Sequence, residues 1–326
     1  MRRRQFIVLL GGAVTWPMSG HAGPQRPGRA RLGYLSGGTK GSGENSFDIL
    51  KTALHELGWR DGETLEIEQR WAAGDFASLP RLAGALVALG PDILVATGAT
   101  ETRSLQSITQ SIPIVFLIVA DPLSSGIVES IARPNKNVTG FTQAPQFLWG
   151  KRLELLKELL GRQPRRLAWL ANSGNTGSVD NWMDAQKAAA AIGADVVQIA
   201  VSKPDELATA FETLNNPDAL LVPYDFLFST LRRRIAELAA AKQLPAVYEN
   251  RSHVLAGGLM SYGGDLRENY RQAAGYVDRI LKGARPADLP VVSPSRFELV
   301  LNKNAAKALG IEIPPTLLAQ ADEVIE

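Results

Sequence analysis

Arg31-Leu-Gly-Tyr-Leu35 begins a pattern in the first half of the chain that Arg166-Leu-Ala-Trp-Leu170 begins again in the second half. In each copy a basic residue opens an apolar run of strand length that ends in small and polar residues. Three further landmarks recur in the same order, namely Leu57-Gly58 with Ile192-Gly193, Pro91 with Pro217, and Pro113 with Pro245. Four matches in one order indicate an internal repeat and therefore two similar lobes.

Strand-like apolar runs alternate with helical spacing along the chain. Leu79, Leu82 and Leu86, for example, lie on one face of a predicted helix. This alternation is typical of strand-helix units around parallel sheets. We therefore predict an α/β fold of two similar doubly wound, Rossmann-like lobes that are joined by a multi-strand hinge.

The repeat also predicts the limits of the lobes and the segments that join them. Lobe 1 takes residues 31–140 and about 264–292, and lobe 2 takes residues 141–262 and about 293–326. The chain is expected to cross between the lobes at 137–141, 261–264 and 291–296. Several connections of this kind permit hinge closure and restrict other motions.

Residues 1–22 have the features of a signal peptide. Three arginines at positions 2–4 precede a short apolar run, and Ala22 ends a stretch of small residues that a signal peptidase accepts. The apolar run is shorter than the roughly 20 residues that a membrane-spanning helix needs. The paired arginines also fit a twin-arginine signal, and both this route and the general secretory route remain open.

Composition narrows the class of protein. The chain has no cysteine, so it forms no disulfide and lacks the thiol to which a lipoprotein anchor is attached. Its 35 basic and 33 acidic residues nearly balance, which gives no reason to expect nucleic acid or an anionic membrane as a partner. We expect an exported, soluble periplasmic protein without a lipid anchor, and a monomer.

Catalytic groups are scarce in this sequence. After residue 22 the histidines are His55, on the solvent side of a predicted helix, and His253, in a predicted surface loop. The sequence contains no Gly-x-Ser-x-Gly elbow, no His-Glu-x-x-His zinc pair and no phosphate-binding Gly-Lys-Ser/Thr loop. We therefore expect a protein that is not an enzyme and needs neither a cofactor nor a metal.

A ligand of doubly wound lobes binds at the carboxyl ends of the strands, where loops lead into helices. The candidate ligand-binding residues at these ends are Ser36, Thr97, Gly98, Ala99, Thr100, Asp121, Asn172, Asp225, Tyr248 and Glu249. The stretch 97–100 starts a helix, so its backbone N-H groups and hydroxyls suit a carboxylate. The alternative is an ordinary N-cap by Thr97 or Thr100.

Asp121 and Asp225 each follow an apolar strand, one in each lobe, and suit an ammonium group. Asp225 is equally suited to cap the helix that we predict from Phe226 to Lys242. Aromatic residues that flank these loops offer stacking surface for an apolar or aromatic solute, and they are Tyr34, Phe116, Phe141, Tyr224 and Tyr248.

From about Arg31 to Glu326 the chain resembles a known family. The residues that carry the likeness are Leu57-Gly58-Trp59, Glu68-Gln69-Arg70-Trp71-Ala72, Ile112-Pro113-Ile114-Val115-Phe116, Asp121-Pro122, Val138-Thr139-Gly140-Phe141, Gly150–Lys157, Leu244–Tyr248, Gly257–Gly263 and Phe297–Asn302. Together they are similar to the ABC-transporter substrate-binding proteins that include tryptophan- and tyrosine-binding types.

The resemblance implies a type I periplasmic-binding fold, with a small-molecule solute bound between the lobes and passed to an inner-membrane ABC permease with its ATPase. It implicates the loop at 97–99, the Asp121-Pro122 turn and Asp225. The expected function is capture of a small carboxylate-bearing metabolite, with an amino acid or aromatic acid favoured. An exported sensor that presents its ligand to a membrane receptor is the alternative, and an enzyme is a third hypothesis. The signal peptide argues against a transcription factor.

Overall fold

The computed structural model describes residues 29–41, 46–134, 136–143, 148–175 and 179–326, without the side chains of two of them, Ser46 and Asp180. The predicted signal peptide lies outside the described residues. None of the helices in the described ranges is long and apolar enough to cross a membrane.

The first half of the chain alternates strands and helices as predicted. Its elements are β1 (Ala30–Ser36), α1 (Ser46–Glu56), β2 (Leu65–Trp71), α2 (Leu79–Ala88), β3 (Ile93–Ala96), α3 (Ala99–Gln106), β4 (Ile114–Val119) and β5 (Val138–Thr142), with a 3-10 helix at Phe76–Ser78. The strands form one parallel sheet in the order β2-β1-β3-β4-β5. We call the unit around this sheet lobe 1.

The second half repeats this arrangement and extends it. Its elements are α4 (Leu148–Leu160), β6 (Arg166–Asn172), α5 (Val179–Ala191), β7 (Asp195–Val201), α6 (Glu206–Glu212), β8 (Ala219–Val222), α7 (Phe226–Thr230), α8 (Arg232–Ala241), β9 (Ala246–Tyr248), α9 (Arg251–Leu255), β10 (Met260–Gly264), α10 (Leu266–Leu281), β11 (Phe297–Asn302), α11 (Lys303–Ala308), α12 (Pro315–Gln320) and β12 (Glu323–Ile325), with a 3-10 helix at Pro286–Asp288. The second sheet has the order β12-β11-β10-β9-β8-β6-β7, and only the β10 and β11 pair is antiparallel. We call the unit around it lobe 2.

Helices cover both faces of each sheet. In β1 the neighbouring side chains of Tyr34 and Leu35 point to opposite faces, Tyr34 towards α1 and α10 and Leu35 towards α2 and α3. Strands β3 and β4 are buried along their whole length, as parallel strands between two helix layers are. The predicted α/β fold of two doubly wound lobes is therefore confirmed.

In the part of the chain that the structure describes, three passages between the lobes can be traced. Residues 138–142 form β5, so the first crossing follows this strand and does not lie at 137–141 as predicted. Helix α10 follows β10 of lobe 2 but packs on lobe 1, and Val292 then pairs with Phe141 before β11 begins. We retain as a proposal the predicted limits of the lobes, 31–140 with about 264–292 and 141–262 with about 293–326, except that Phe141 and Thr142 belong to the sheet of lobe 1.

Glycines allow the close approach of backbones near two of these crossings. A Cβ atom at Gly140 would lie 2.0 Å from the Phe116 carbonyl oxygen, and one at Gly263 would lie 2.0 Å from the Glu249 carbonyl oxygen. Any side chain would therefore push β5 away from β4, or β10 away from the loop after β9.

One predicted helix is divided. The single helix expected from Phe226 to Lys242 is two helices, α7 and α8, with a turn at Leu231. The Thr230 hydroxyl donates a hydrogen bond to the Phe226 carbonyl, and bonds of this kind bend helices. The apolar spacing continues across the turn, which is why the sequence does not reveal it.

Candidate functional site

The lobes face each other across a cleft that encloses a cavity of about 50 Å³, which we call the small cavity. Its wall is formed by Phe76, Gly98, Ala99, Thr100, Glu101, Ile118 and Ala120 of lobe 1, by Gln143 after β5, and by Asn175, Asn181, Tyr224, Asp225 and Phe226 of lobe 2. Four of the residues predicted to bind ligand therefore lie together in this wall: Gly98, Ala99, Thr100 and Asp225.

Helix α3 points its N-terminus at the small cavity. Its N-cap is Gly98, in an extended conformation and without a side-chain cap, so the alternative of an N-cap by Thr97 or Thr100 is wrong. A Cβ atom at this position would lie 2.7 Å from a Glu101 carboxylate oxygen, so a larger residue here would displace the Glu101 side chain. The first N-H groups of a helix have no partner within it and form a positive end, which suits an anionic group of a ligand.

Glu101 is a site residue that the sequence analysis missed. Its side chain is buried, and Oε1 accepts hydrogen bonds from the Gly37 N-H at 2.7 Å and the Thr97 hydroxyl at 3.0 Å. It thereby ties the loop after β1 to the start of α3. Burial raises the pKa of this carboxyl, and the nearby Asp225 carboxyl raises it further. An acid in the first turn of a helix is the available signal, but it does not reveal burial.

Asp225 lies on the opposite side of the small cavity. Its Oδ1 atom caps α7 by accepting from the Leu227 N-H at 2.8 Å and also accepts from the Asn172 amide at 2.9 Å. Oδ2 accepts from the Asn175 amide at 2.8 Å. Burial raises the pKa of this carboxyl, which the amide donors partly oppose. The predicted capping role is confirmed, and Asn172 contacts Asp225 without lining the small cavity.

Glu249 lies behind the wall of the small cavity. It forms a buried ion pair with Arg152, with 2.7 Å between nitrogen and oxygen. Its other oxygen accepts from the side chains of Asn181 and Gln143, at 3.0 and 2.9 Å, and from the Tyr224 N-H at 2.7 Å. These three residues line the cavity, so Glu249 positions the wall.

The sequence matches the family profile described as ABC transporter substrate binding protein over residues 42–325. The chain belongs to this family. A protein named tyrosine-binding protein, from Clostridioides difficile (strain R20291), is 26% identical over 264 residues, which are 80% of this chain and 75% of that protein.

Two solved structures are similar over most of this substrate-binding protein. A conserved domain protein of Vibrio cholerae has a TM-score of 0.84 and 27% identity, over 91% of this chain and 100% of that one. An ABC domain in complex with L-Trp, from Streptococcus pneumonia, has a TM-score of 0.82 and 26% identity over the same shares. The type I periplasmic-binding architecture that the resemblance implied is confirmed.

A second cavity of about 370 Å³, which we call the large cavity, lies between the same lobes of the substrate-binding protein. Ser36, another predicted site residue, lines it, and its hydroxyl accepts from the Gly38 N-H at 3.1 Å. Thr97 is buried directly after β3, where its hydroxyl donates a hydrogen bond to Glu101.

Five of the ten predicted ligand-binding residues line neither of these two cavities: Thr97, Asn172 and Glu249, whose contacts are given above, and Asp121 and Tyr248. Asp121 caps its own turn, because Oδ1 accepts from the N-H groups of Leu123 and Ser124 at 3.0 and 3.1 Å. Tyr248 is buried in lobe 2, where its ring stacks on that of His253 with 4.9 Å between the centroids. Both residues lie at strand ends as predicted, but they contribute to packing and turn geometry there.

His253 is not in a surface loop, as the sequence predicted, but is fully buried in α9. Asn250 caps this short helix by accepting from the Ser252 N-H at 2.8 Å, and the helix directs His253 into the core of lobe 2. Burial lowers the pKa of the imidazole to about 4, so it is neutral at pH 7. His55 is exposed on α1, as predicted.

Proposed function

We propose that this substrate-binding protein is the exported solute-binding component of an ABC importer. It captures a small carboxylate-bearing metabolite in the interlobe cleft, with an amino acid or aromatic acid favoured. The observation that supports this is the small cavity, where the N-terminus of α3 in lobe 1 faces the buried carboxylate of Asp225 in lobe 2. A free amino acid carries one group for each of these partners.

The carboxylate of the ligand binds at the start of α3 in this proposal. The N-H groups of Ala99 and Thr100 supply donors, and the positive helix end adds to their attraction. The ammonium group binds the carboxylates of Asp225 and Glu101, which are acceptors when ionised. Charge-assisted hydrogen bonds of both kinds are stronger than neutral ones.

Closure of the lobes is coupled to the ligand because the two halves of this site belong to different lobes. The Thr100 hydroxyl donates across the cleft to Asn175 Oδ1 at 3.3 Å. Phe226 and Tyr224 of lobe 2 pack against the core clusters of lobe 1. A ligand that contacts both lobes only when they are closed shifts the population towards the closed form.

The closed, loaded form is the one that we propose to meet an inner-membrane permease with its ATPase. The protein acts there as a periplasmic monomer that releases its solute unchanged. Both acids of the small cavity are positioned as hydrogen-bond acceptors by amide, hydroxyl and backbone donors, which suits recognition of a charged group.

Calorimetry on the full chain tests the need for both charged groups. We expect L-tyrosine to bind saturably and to raise the melting temperature, since a ligand of the folded state stabilises it by mass action. Tyramine lacks the carboxylate and phloretic acid lacks the ammonium group, and we expect each to bind at least roughly 10-fold more weakly, one charged hydrogen bond being worth ~1.5–3 kcal/mol. Equal binding of all three compounds, or binding of a sugar instead, would refute the proposal.

A further inference from the structure

Two acids that belong to different lobes line the small cavity. Glu101 of α3 and Asp225 at the start of α7 lie on opposite sides of it, and both side chains are buried. Among the described residues that form its wall, none is a lysine, an arginine or a histidine. Two carboxylates thus share a space of about 50 Å³ with no basic side chain between them. Such a pair favours either the uptake of a proton or the separation of the two groups.

The other charged groups around the cleft leave the small cavity without a cation. Arg152, behind its wall, forms the ion pair with Glu249 and also interacts with the Asp184 carboxylate. The Tyr224 hydroxyl is neutral, because burial raises its pKa well above the ordinary value. The remaining charged residues line only the large cavity, and they are Lys40, Asp48, Lys51, Arg251, Asp265 and Arg267. The positive end of α3 offers the pair only a partial charge.

Phe226 of lobe 2 packs directly against lobe 1. Its half-buried ring joins the lobe 1 core cluster that contains Phe76. A Cβ atom at Gly38 would lie 3.0 Å from this ring and one at Gly37 would lie 3.2 Å from it, so the ring occupies the space that side chains would take there. We call this contact of Phe226 with Gly37 and Gly38 the latch. Burial of an aromatic ring between the lobes stabilises the closed form whichever solute is bound.

The latch and the acid pair act in opposite directions on lobe closure. Both the ring contact and the approach of the two carboxylates require the lobes to be together, and separation of the lobes lets water reach the acids. Burial raises the pKa of Glu101 and of Asp225, and the Asp225 carboxyl raises that of Glu101 further. The closed form therefore binds a proton more tightly than the open form does, and low pH favours closure.

We propose that Glu101 and Asp225 form an electrostatic gate that holds the ligand-free cleft open at neutral pH against the latch, and that a proton on one acid, or a cationic group of the solute between them, lets the lobes close. The gate goes beyond the proposed function, because it acts before any solute binds. Its second part rests on that function, which supplies the ammonium group. A solute without a cationic group does not release the gate.

Small-angle X-ray scattering of the ligand-free full chain between about pH 4 and 8 tests the gate. We expect the radius of gyration to increase with pH, since the closed-to-open ratio falls by up to about 10-fold per pH unit for each proton released. Glu101→Gln leaves a single acid and keeps an acceptor for the Gly37 N-H, so its radius should stay small over the whole range.

Asp121→Asn is the matched control for Glu101→Gln. Asp121 is also a buried acid of lobe 1, but it caps its own turn and lines neither cavity. This variant should keep the pH dependence of the wild type. The gate is overturned if the radius of the wild type does not change with pH, or if Glu101→Gln keeps the wild-type pH dependence. Melting curves at each pH identify any sample that is unfolded.

Two variants test the latch from its two sides. Phe226→Ala removes the ring, and Gly38→Ala places a methyl group in the space that the ring occupies. We expect both ligand-free variants to keep a large radius of gyration even at about pH 4, where the gate no longer opposes closure. Trp182→Ala is the control, because Trp182 is a half-buried residue of lobe 2 that packs on Trp169 and lines neither cavity. Closure of both latch variants at low pH, as in the wild type, would show that the latch does not stabilise the closed form.

Scattering at about pH 8 with three solutes separates the gate from the proposed function. We expect L-tyrosine, and tyramine at higher concentration, to reduce the radius, and phloretic acid, which has no ammonium group, to leave it large. If L-tyrosine does not bind but the ligand-free protein closes at low pH, the gate is supported and the proposed solute class is wrong. If L-tyrosine binds and pH has no effect on the ligand-free protein, the gate alone is overturned. Closure by phloretic acid at the concentrations at which tyramine acts would contradict the need for a cation.

Discussion

The loops after β3 and β8 occupy the same place in the two copies of the repeat, yet they present their acids differently. In lobe 1 a glycine caps α3, and the acid Glu101 follows within the first turn. In lobe 2 the acid Asp225 is itself the cap of α7. Each carboxylate nevertheless anchors the loop after the first strand of its own lobe, through Gly37 in one case and Asn172 and Asn175 in the other.

This difference shows how two similar lobes can build an asymmetric site. Because Glu101 lies within the helix and its carboxylate bonds its own N-H, the N-H groups of Ala99 and Thr100 are the ones that remain available to an anion. Because Asp225 is the cap, its side chain uses one N-H group of α7 and turns its other oxygen to the cleft side chain of Asn175. Lobe 1 therefore offers the ligand both the positive end of α3 and the carboxylate of Glu101, whereas lobe 2 offers mainly the carboxylate of Asp225.

The largest effect is expected from removing the acid of lobe 2. Asp225→Ala leaves the amides of Asn172 and Asn175 without their acceptor and removes a helix cap, so we expect a loss of ~1–3 kcal/mol in the free energy of unfolding. Ligand affinity should fall by roughly 100-fold, because truncating one partner of a buried charge pair costs ~2–5 kcal/mol. Denaturant unfolding and calorimetry measure the two effects.

Asn302→Ala provides a matched control in the same lobe. Asn302 is also a buried cap, accepting from the Ala305 N-H at 2.9 Å, and it lines neither cavity. The Asn302→Ala variant should be less stable than the wild type and keep its ligand affinity. If Asp225→Ala behaves in the same way, Asp225 is a structural cap and the ligand does not use it.

The sequence patterns predicted where the loops of the two lobes meet, but they did not predict every charged residue that is buried there. The repeat and the strand ends predicted where Gly98, Ala99, Thr100 and Asp225 would meet, because parallel strands end at one edge of a sheet. Glu101 was missed because its burial depends on packing against the Gly37 loop, which is distant in sequence.

Local sequence patterns also failed to predict that His253 of lobe 2 is buried. His253 was expected at the surface, and its place in the core follows from a helix of only five residues. Such a helix is too short for apolar periodicity to be recognised. Asp121 and Tyr248 follow strands as the ligand-binding loops do, and only the three-dimensional position of the cavities separates them from the site.

An effect of intermediate size is expected on the pH dependence of stability, to which the acids of both lobes contribute. Burial raises the pKa of both Glu101 and Asp225, so the folded protein binds their protons more tightly than the unfolded chain does. Their favourable contribution is therefore complete below the ordinary pKa of a carboxyl, about 4, and is lost as the pH rises through the folded-state values. Glu101→Gln removes one of these groups and keeps the hydrogen-bond acceptor.

We expect the melting temperature of Glu101→Gln relative to wild type to increase as the pH is raised from about 4 to 8, without ligand. A ligand with an ammonium group favours the ionised acids, so its affinity for the wild type should rise over the same range. Melting curves at a series of pH values, with and without L-tyrosine, measure both. A pH-independent difference between variant and wild type would mean that the pKa of Glu101 does not change on folding, and it would contradict the prediction.

The smallest effect is expected at the contact that joins the two loops. Thr100→Val keeps the shape of the side chain and removes the hydroxyl that donates to Asn175 across the cleft. One hydrogen bond of this kind contributes ~0.5–1.5 kcal/mol, so ligand affinity should fall roughly 3- to 10-fold. Unfolding stability should barely change, because the bond connects lobes and not elements within one lobe.

Thr102→Val, on the same helix, is the control for Thr100→Val. The Thr102 hydroxyl is buried and donates to the Gly98 carbonyl within lobe 1. Its loss should reduce the stability of lobe 1 and leave closure unaffected. If Thr100→Val instead lowers stability and not affinity, the bond belongs to the packing of the ligand-free form, and the two loops recognise the ligand without depending on each other.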